Sequence, residues 1–319
     1  MKLAAIIAGV WAAAAASAVW VYEGEWGKQG RGPGEFYYPR SPAEAPNGNV
    51  YVTDGSNHRI QYFTATGSYI GQWGRNGTGD GQFKLPRHLA ITNGGVVYVA
   101  DGGNHRVQYF SLSGSFLGKW GSEGTGDGEF DTPRAIAVAP NGNVYVGDTY
   151  NDRIQYFTSV GSFLGKWGTA GTGEGEFDMP RGVAVAPNGN VYVADSYNSR
   201  IQYFTADGSF IGMWGKPGSG PTDLRLPIGI AVAPNGYVFT VELANNRVHY
   251  FTATGSHLGI WGTKGSGPGE FNYPWGITVT RDGTRVYTVE MHNHRVQYFR
   301  ESEEFVAPAS WGLIKALYR

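Results

Sequence analysis

Residues 128–168 read GEFDTPRAIAVAPNGNVYVGDTYNDRIQYFTSVGSFLGKWG. Four short apolar or alternating runs stand in this stretch: Ala135–Ala139, Val144–Gly147, Arg153–Phe157 and Ser162–Trp167. Turn-forming residues separate them: Pro140-Asn141-Gly142, then Asp148–Asn151, then Val160-Gly161. Short period-two runs with such punctuation predict antiparallel strands. The pattern recurs along the chain. Trp-Gly stands at Trp26, Trp73, Trp120, Trp167, Trp214 and Trp261, every interval being 47 residues. A seventh Trp-Gly, at Trp311, lies 50 residues further on in a poorer context. Four strands per unit, six times over, predict an all-β fold, a six-bladed β-propeller of four-stranded antiparallel blades.

Composition agrees with that reading and narrows the chemistry. The 319 residues include 50 Gly, 10 Trp, 20 Tyr and 16 Phe, and only 16 % are charged, a balance that favours tight turns between short strands over helices. There is no Cys, which excludes disulfides, thiolate metal sites, iron–sulfur clusters, a Cys nucleophile and a lipoprotein anchor. A formal net charge of −1 argues against bulk electrostatic binding of nucleic acid.

Residues 1–21, MKLAAIIAGVWAAAAASAVWV, carry one Lys followed by an uncharged run. Ala16-Ser17-Ala18 fits the small-x-small rule of a signal-peptidase site. Residues 1–18 are therefore read as a signal peptide, with an uncleaved signal anchor as the alternative. Both place the remainder outside the cytoplasm, as a secreted, periplasmic or outer-surface protein. The propeller is expected over 19–305. Residues 306–319 form a tail whose apolar positions at 311, 314, 317 and 318 suit a short amphipathic helix. Membrane contact is expected only through an uncleaved N-terminal segment or this tail.

One unit shows a family likeness most clearly: Pro180-Arg181-Gly182-Val183-Ala184-Val185, Val191-Tyr192-Val193-Ala194-Asp195 and Asn198-Ser199-Arg200-Ile201-Gln202-Tyr203-Phe204. These segments resemble the NHL repeat, and the resemblance covers about residues 22–299. It implies a propeller that serves as an interaction platform on the face where the loops gather. Some similar propellers are metal-dependent lyases or lactonases with ligands around the channel mouth. In the amidating-lyase branch the zinc-binding His residues follow the blade-opening Pro. Here those places hold Arg40, Arg87, Arg134, Arg181, Ile228 and Trp275, and His88 comes one place too late.

The chain ends predict how the ring closes. Tyr22–Gly27 matches a fourth strand without a preceding trio, and the last trio, Gly276–Phe299, lacks a good fourth strand. The N-terminal segment is expected to complete the last blade and remove two exposed edges. Blade 1 is expected to carry a shortened or distorted first strand, because Ser41-Pro42-Ala43-Glu44-Ala45 includes a Pro and an acid. The alternative is that Glu44 faces the channel.

Comparing the six units with one another separates structural from functional positions. Asn57, Asn104, Asn151, Asn198, Asn245 and Asn293 each precede by two an Arg that opens strand three, and both sets are read as structural. The six Trp are read as bulk between blades. The position after the opening Pro varies. Its Arg residues, Arg40, Arg87, Arg134 and Arg181, accompany Asp54, Asp101, Asp148 and Asp195 at the end of strand two, whereas Ile228 and Trp275 accompany Glu242 and Glu290. Two readings stay open: an intrablade salt bridge between each Arg and its Asp, or an arginine rim that binds anions. Blades 5 and 6 then offer unpaired carboxylates, Glu242 and Glu290, near Trp275, His249, His292 and His294. Such a group is a candidate for a cation, a metal or a sugar, and Ca²⁺ at the channel is the cofactor considered.

The expected ligand-binding residues are thus Arg40, Arg87, Arg134, Arg181, Glu242, Trp275, Glu290 and His292. The expected function is a non-enzymatic binding or scaffold module that takes a protein, peptide or glycan at the channel mouth, as a monomer or within a larger assembly. The alternative is a metal-dependent propeller enzyme with a carboxylate site in blades 5 and 6.

Overall fold

A computed structural model describes residues 19–302. The expected signal segment 1–18 and tail 306–319 lie outside the described residues. Six four-stranded antiparallel sheets follow one another around a central axis, each with its strands in sequence order from the channel outward, except the last. In blade 3 the strands are Pro133–Val138, Val144–Asp148, Arg153–Phe157 and Phe163–Trp167. Their register sets Ile136 opposite Val146, Tyr145 opposite Tyr156 and Gln155 opposite Lys166. Strand two is buried on both faces in every blade because neighbouring blades cover it, so its run is apolar rather than alternating.

Closure follows the expected path. Val19–Trp26 pairs antiparallel with Arg295–Ser302, setting Tyr22 opposite Phe299 and Trp26 opposite Val296 around a bulge between Tyr22 and Gly24. The sixth sheet therefore combines both ends of the described chain. Glu23 adds charge pairs to Arg285 at 2.7 Å and Arg300 at 2.9 Å.

The Trp residues lie between blades, as expected. Trp167 of blade 4's predecessor packs on Phe204 at 5.5 Å, and its ring occupies the space above Gly208 of the next blade. Gly208 has φ +93° and a Cβ there would strike the indole, so only glycine serves. Tyr145 adds a second interblade link, its hydroxyl donating to Ala206 O at 2.8 Å.

Blade 1 keeps its length. Its first strand is Pro39–Glu44, six residues like the others, although pairing skips from Pro39 to Pro42. The strand lines the channel and has one unpaired edge, so the missing Pro42 donor breaks no second ladder. Glu44 lies at the far mouth of the channel, where its carboxylate accepts the Arg281 backbone N–H at 2.7 Å. Burial raises the Glu44 pKa. Arg281 reaches on to Ile91 O at 3.0 Å and to the Asn93 side chain, strapping blade 6 to blade 2 over a cavity of ≈ 500 Å³. No helix of the described residues is long and apolar enough to cross a membrane.

Candidate functional site at the channel mouth

The acid that ends strand two is a structural hub. Asp148 Oδ2 accepts from Arg153 Nε at 2.7 Å, Asn151 Nδ2 at 2.9 Å and Gln155 Nε2 at 3.1 Å, while Oδ1 accepts the Asp131 N–H at 2.7 Å. Arg153 spends its remaining donors on the crossover carbonyls of Thr125, Gly126 and Glu129. The invariant Asn–x–Arg therefore clamps the Gly-rich crossover to its blade, and the same set recurs around Asp54, Asp101 and Asp195. Burial pushes these carboxyl pKa values up, against the pull of the hydrogen bonds and the Arg partner.

This hub corrects two expectations. The intrablade salt bridge does not form: Asp54, Asp101, Asp148 and Asp195 pair with Arg59, Arg106, Arg153 and Arg200, not with the arginines after the Pro. Nor are Glu242 and Glu290 unpaired. Glu242 receives Arg247 Nε at 2.6 Å, Asn245 Nδ2 at 2.5 Å, the Arg225 N–H at 2.9 Å and contacts His249 Nδ1 at 3.1 Å. Glu290 receives Arg295 Nε, Gln297 Nε2, Asn293 Nδ2 and the Asn272 N–H. Both acids are fully buried, and every carboxylate oxygen is engaged. The longer side chain merely fills the Asp position. Spacing along the hairpin placed arginine and acid near each other, but the acid faces strand three.

The arginines so released converge on the channel. Arg40, Arg87, Arg134 and Arg181 open the first strands of four successive blades, so all four enter the same end of the channel. Arg40 and Arg181 are buried. Among the described residues none of the four lies within salt-bridge distance of a carboxylate. Their partners are neutral. Arg40 lies over the Trp275 ring at 4.2 Å and donates to Met291 Sδ at 3.1 Å. Arg134 lies over Tyr150 at 4.8 Å and donates to its hydroxyl at 2.6 Å. Arg181 lies over Tyr197 at 4.8 Å and donates to its hydroxyl at 3.2 Å. The Nε atoms of Arg87, Arg134 and Arg181 are buried without a hydrogen-bond partner.

The electrostatics follow from that packing. Desolvation holds the Arg40 pKa well below its usual value, and repulsion from Arg87, Arg134 and Arg181 lowers it further. Arg87 is brought down to about 10, first by burial and then by Arg134 and Arg181. Guanidinium remains charged at neutral pH, so the mouth holds four positive charges with no anion of the chain against them. Glycine sets the spacing on the far side: a Cβ at Gly276 would collide with Arg40 O, so blades 6 and 1 can approach and Trp275 can reach Arg40.

Trp275 and His292 also stand at this end. His292 is exposed and stacks on Tyr273 at 4.1 Å, with Tyr38 edge-on at 5.8 Å. His58, His105 and His294 do not converge; each accepts a backbone N–H from the next blade, as His58 Nδ1 does from Leu85 at 3.1 Å. His249 occupies the place of the Gln in other blades and faces His257 across 2.8 Å. Among the described residues, no group of three or more His, Cys, Asp or Glu is arranged to hold a metal ion.

Sequence reasoning missed Tyr150 and Tyr197. The signal was present: they occupy one repeat position, 47 residues apart, in the two blades whose arginines they cap. It also missed His88, which lines the channel with both ring nitrogens unpartnered and a pKa lowered by burial to about 4.

Comparison with known proteins bears on the fold. No curated protein matches the sequence. Solved structures do. A protein of unknown function from Bacteroides thetaiotaomicron is 17% identical, covering 87% of this chain and 74% of that chain, with a TM-score of 0.64. A gluconolactonase from Xanthomonas campestris is 14% identical over 84% of this chain and 87% of that chain, TM-score 0.64. Virginiamycin B lyase from Staphylococcus aureus is 14% identical over 83% and 95%, TM-score 0.59. At such identities the likeness is one of fold alone. The family model for the NHL repeat matches residues 83–110, 130–157, 177–204 and 271–299. Each matched segment runs from a crossover Phe into strand three, and in the first three it stops where that strand ends. The chain carries NHL repeats in these four places and folds as a six-bladed β-propeller.

Proposed function

We propose that this chain is an exported, non-enzymatic binding module that takes an anionic ligand or an anionic group of a partner at the arginine mouth of its channel. The observation that carries the reading is a set of four guanidiniums with no carboxylate partner: Arg40, Arg134 and Arg181 are held by aromatic rings, hydroxyls and a thioether, and Arg87 keeps its buried Nε unpartnered. Placing several cations together without a counter-charge opposes folding, and such an arrangement is retained where a ligand supplies the charge. Guanidinium pairs with carboxylate or phosphate through two parallel hydrogen bonds. Export rests on the composition of residues 1–18.

With Glu242 and Glu290 consumed by Arg247 and Arg295, the mouth is cationic on one arc and aromatic on the other. Those two acids are buried and engaged by Arg247 and Arg295, which supports the anion reading over a Ca²⁺ or metal site built on them.

Isothermal titration of the propeller with sulfate at low ionic strength tests the reading, alongside the double variant Arg134→Ala/Arg181→Ala. Saturable binding that the double variant loses, with its melting temperature preserved, supports a site. Absence of saturable binding, or equal binding by the variant, refutes it.

A further inference from the structure

We propose that the arginine mouth binds one compact multivalent anion, a small molecule carrying two or more carboxylate or phosphate groups, bridged by Arg40, Arg87, Arg134 and Arg181 together. This rests on the anion-binding reading above and specifies its ligand.

Three observations lead from an anion to a multivalent one. First, the four arginines share one register position in four successive first strands, so they enter the mouth at one level and from one arc. Second, each guanidinium leaves donors free. Arg134 and Arg181 each spend Nη2 on a tyrosine hydroxyl, Arg40 spends Nη1 on Met291, and Arg87 leaves its buried Nε without a hydrogen-bond partner. The aromatic rings take the guanidinium faces, which leaves the edges for planar bidentate contacts. Third, the four charges interact with one another: Arg40 is repelled by the other three, and Arg87 by Arg134 and Arg181. A monoanion would neutralise one charge and leave three in mutual repulsion. A small polyanion neutralises several at once, and its own charges are already tied together.

Compactness follows from the boundaries. The arc ends on both sides, at Ile228 of blade 5 and Trp275 of blade 6, where no cation continues it. Tyr150 and Tyr197 rise from the loops beside Arg134 and Arg181. A linear polyanion would call for a charged track leading away from the mouth. A phosphate or carboxylate cluster fits a closed arc.

Two charge series separate the sources of that chemistry. Isothermal titration at one ionic strength compares acetate, succinate and citrate, and separately phosphate, pyrophosphate and triphosphate. The expected result is one equivalent bound, with Kd falling at least tenfold along one series, which then identifies the group as carboxylate or phosphate. Arg40→Met and Arg87→Met are each expected to weaken the tightest ligand about fivefold to tenfold, whereas Arg281→Met at the far mouth leaves it unchanged. Binding of acetate or phosphate as tightly as citrate or triphosphate would overturn multivalency while leaving the anion site intact. So would two equivalents of the multivalent anion per chain. Failure of every member to bind would overturn both.

Discussion

Replacing Arg87 by methionine should stabilise the propeller while weakening anion binding. In the free protein Arg87 contributes charge without a carboxylate, and its Nε is buried and unpaired. Burial and the neighbouring Arg134 and Arg181 bring its pKa from 12.5 to about 10. Below both values the side chain is charged folded and unfolded, so the whole of that difference opposes folding at pH 7. At 1.36 kcal/mol per unit it corresponds to about 3 kcal/mol, and water at the mouth screens it to about 1–2 kcal/mol. Methionine keeps the apolar stem and removes the charge. For a domain of this size a gain of that order raises Tm by roughly 2–6 °C. The control is Arg106→Met. Arg106 is bound to Asp101 at 2.9 Å and to the carbonyls of Thr78, Gly79 and Gln82. Its loss strands a buried carboxylate and should destabilise by about 3–5 kcal/mol. Differential scanning calorimetry in a chloride buffer without polyvalent anions measures both. A loss of 1 kcal/mol or more in Arg87→Met would show that Arg87 has a stabilising partner and would refute the reasoning.

Other consequences follow from the same geometry. Glu242→Gln/Glu290→Gln should lower stability by several kcal/mol, since each change breaks a buried ion pair, and chemical denaturation would read this; an unaltered midpoint would return those acids to the candidate site. The His88 pKa, lowered to about 4, makes stability pH-dependent: the unfolded chain takes a proton near pH 6.5 and the folded chain does not. Stability contributed above pH 6.5 should therefore decline as pH falls toward 4, by up to about 3 kcal/mol. Melting curves of His88→Ala, which restores the small residue of blade 3, should lose that part of the acid limb. Deletion of residues 19–27 removes the closing strand and bares the edge of Arg295–Ser302, so light scattering should report aggregation.

The fold was legible because its signal is repeated. Six copies of Trp-Gly at one interval, with turn residues at fixed offsets, specify strand order and blade number without any tertiary information. Closure was legible because a fourth strand such as Tyr22–Gly27 has no other place to pair. The site was half legible. Variation after the opening Pro pointed to Arg40, Arg87, Arg134 and Arg181, and their place at the start of the innermost strand put them at the mouth. What failed was the pairing of charges. A hairpin register says which residues lie opposite, but Asp54 faces Arg59, its neighbour across strands two and three. The alternation of side chains about the strand decides this, and the irregular step between Pro39 and Pro42 hides it in sequence. The same oversight made Glu242 and Glu290 look free, because the Arg that opens strand three, Arg247 or Arg295, was not matched to the acid that ends strand two. In blade 1 the first strand is not shortened, although its pairing skips from Pro39 to Pro42; Pro42 costs little there because its strand borders the channel and lacks a partner on that side.

Whether the arginine mouth is a ligand site is tested most directly by a crystal structure of the propeller grown with pyrophosphate and citrate in separate experiments. The account predicts electron density for one anion at the mouth, within hydrogen-bond distance of at least three of Arg40, Arg87, Arg134 and Arg181. Guanidiniums turned outward to solvent around an empty mouth in crystals that contain either anion at millimolar concentration would contradict it.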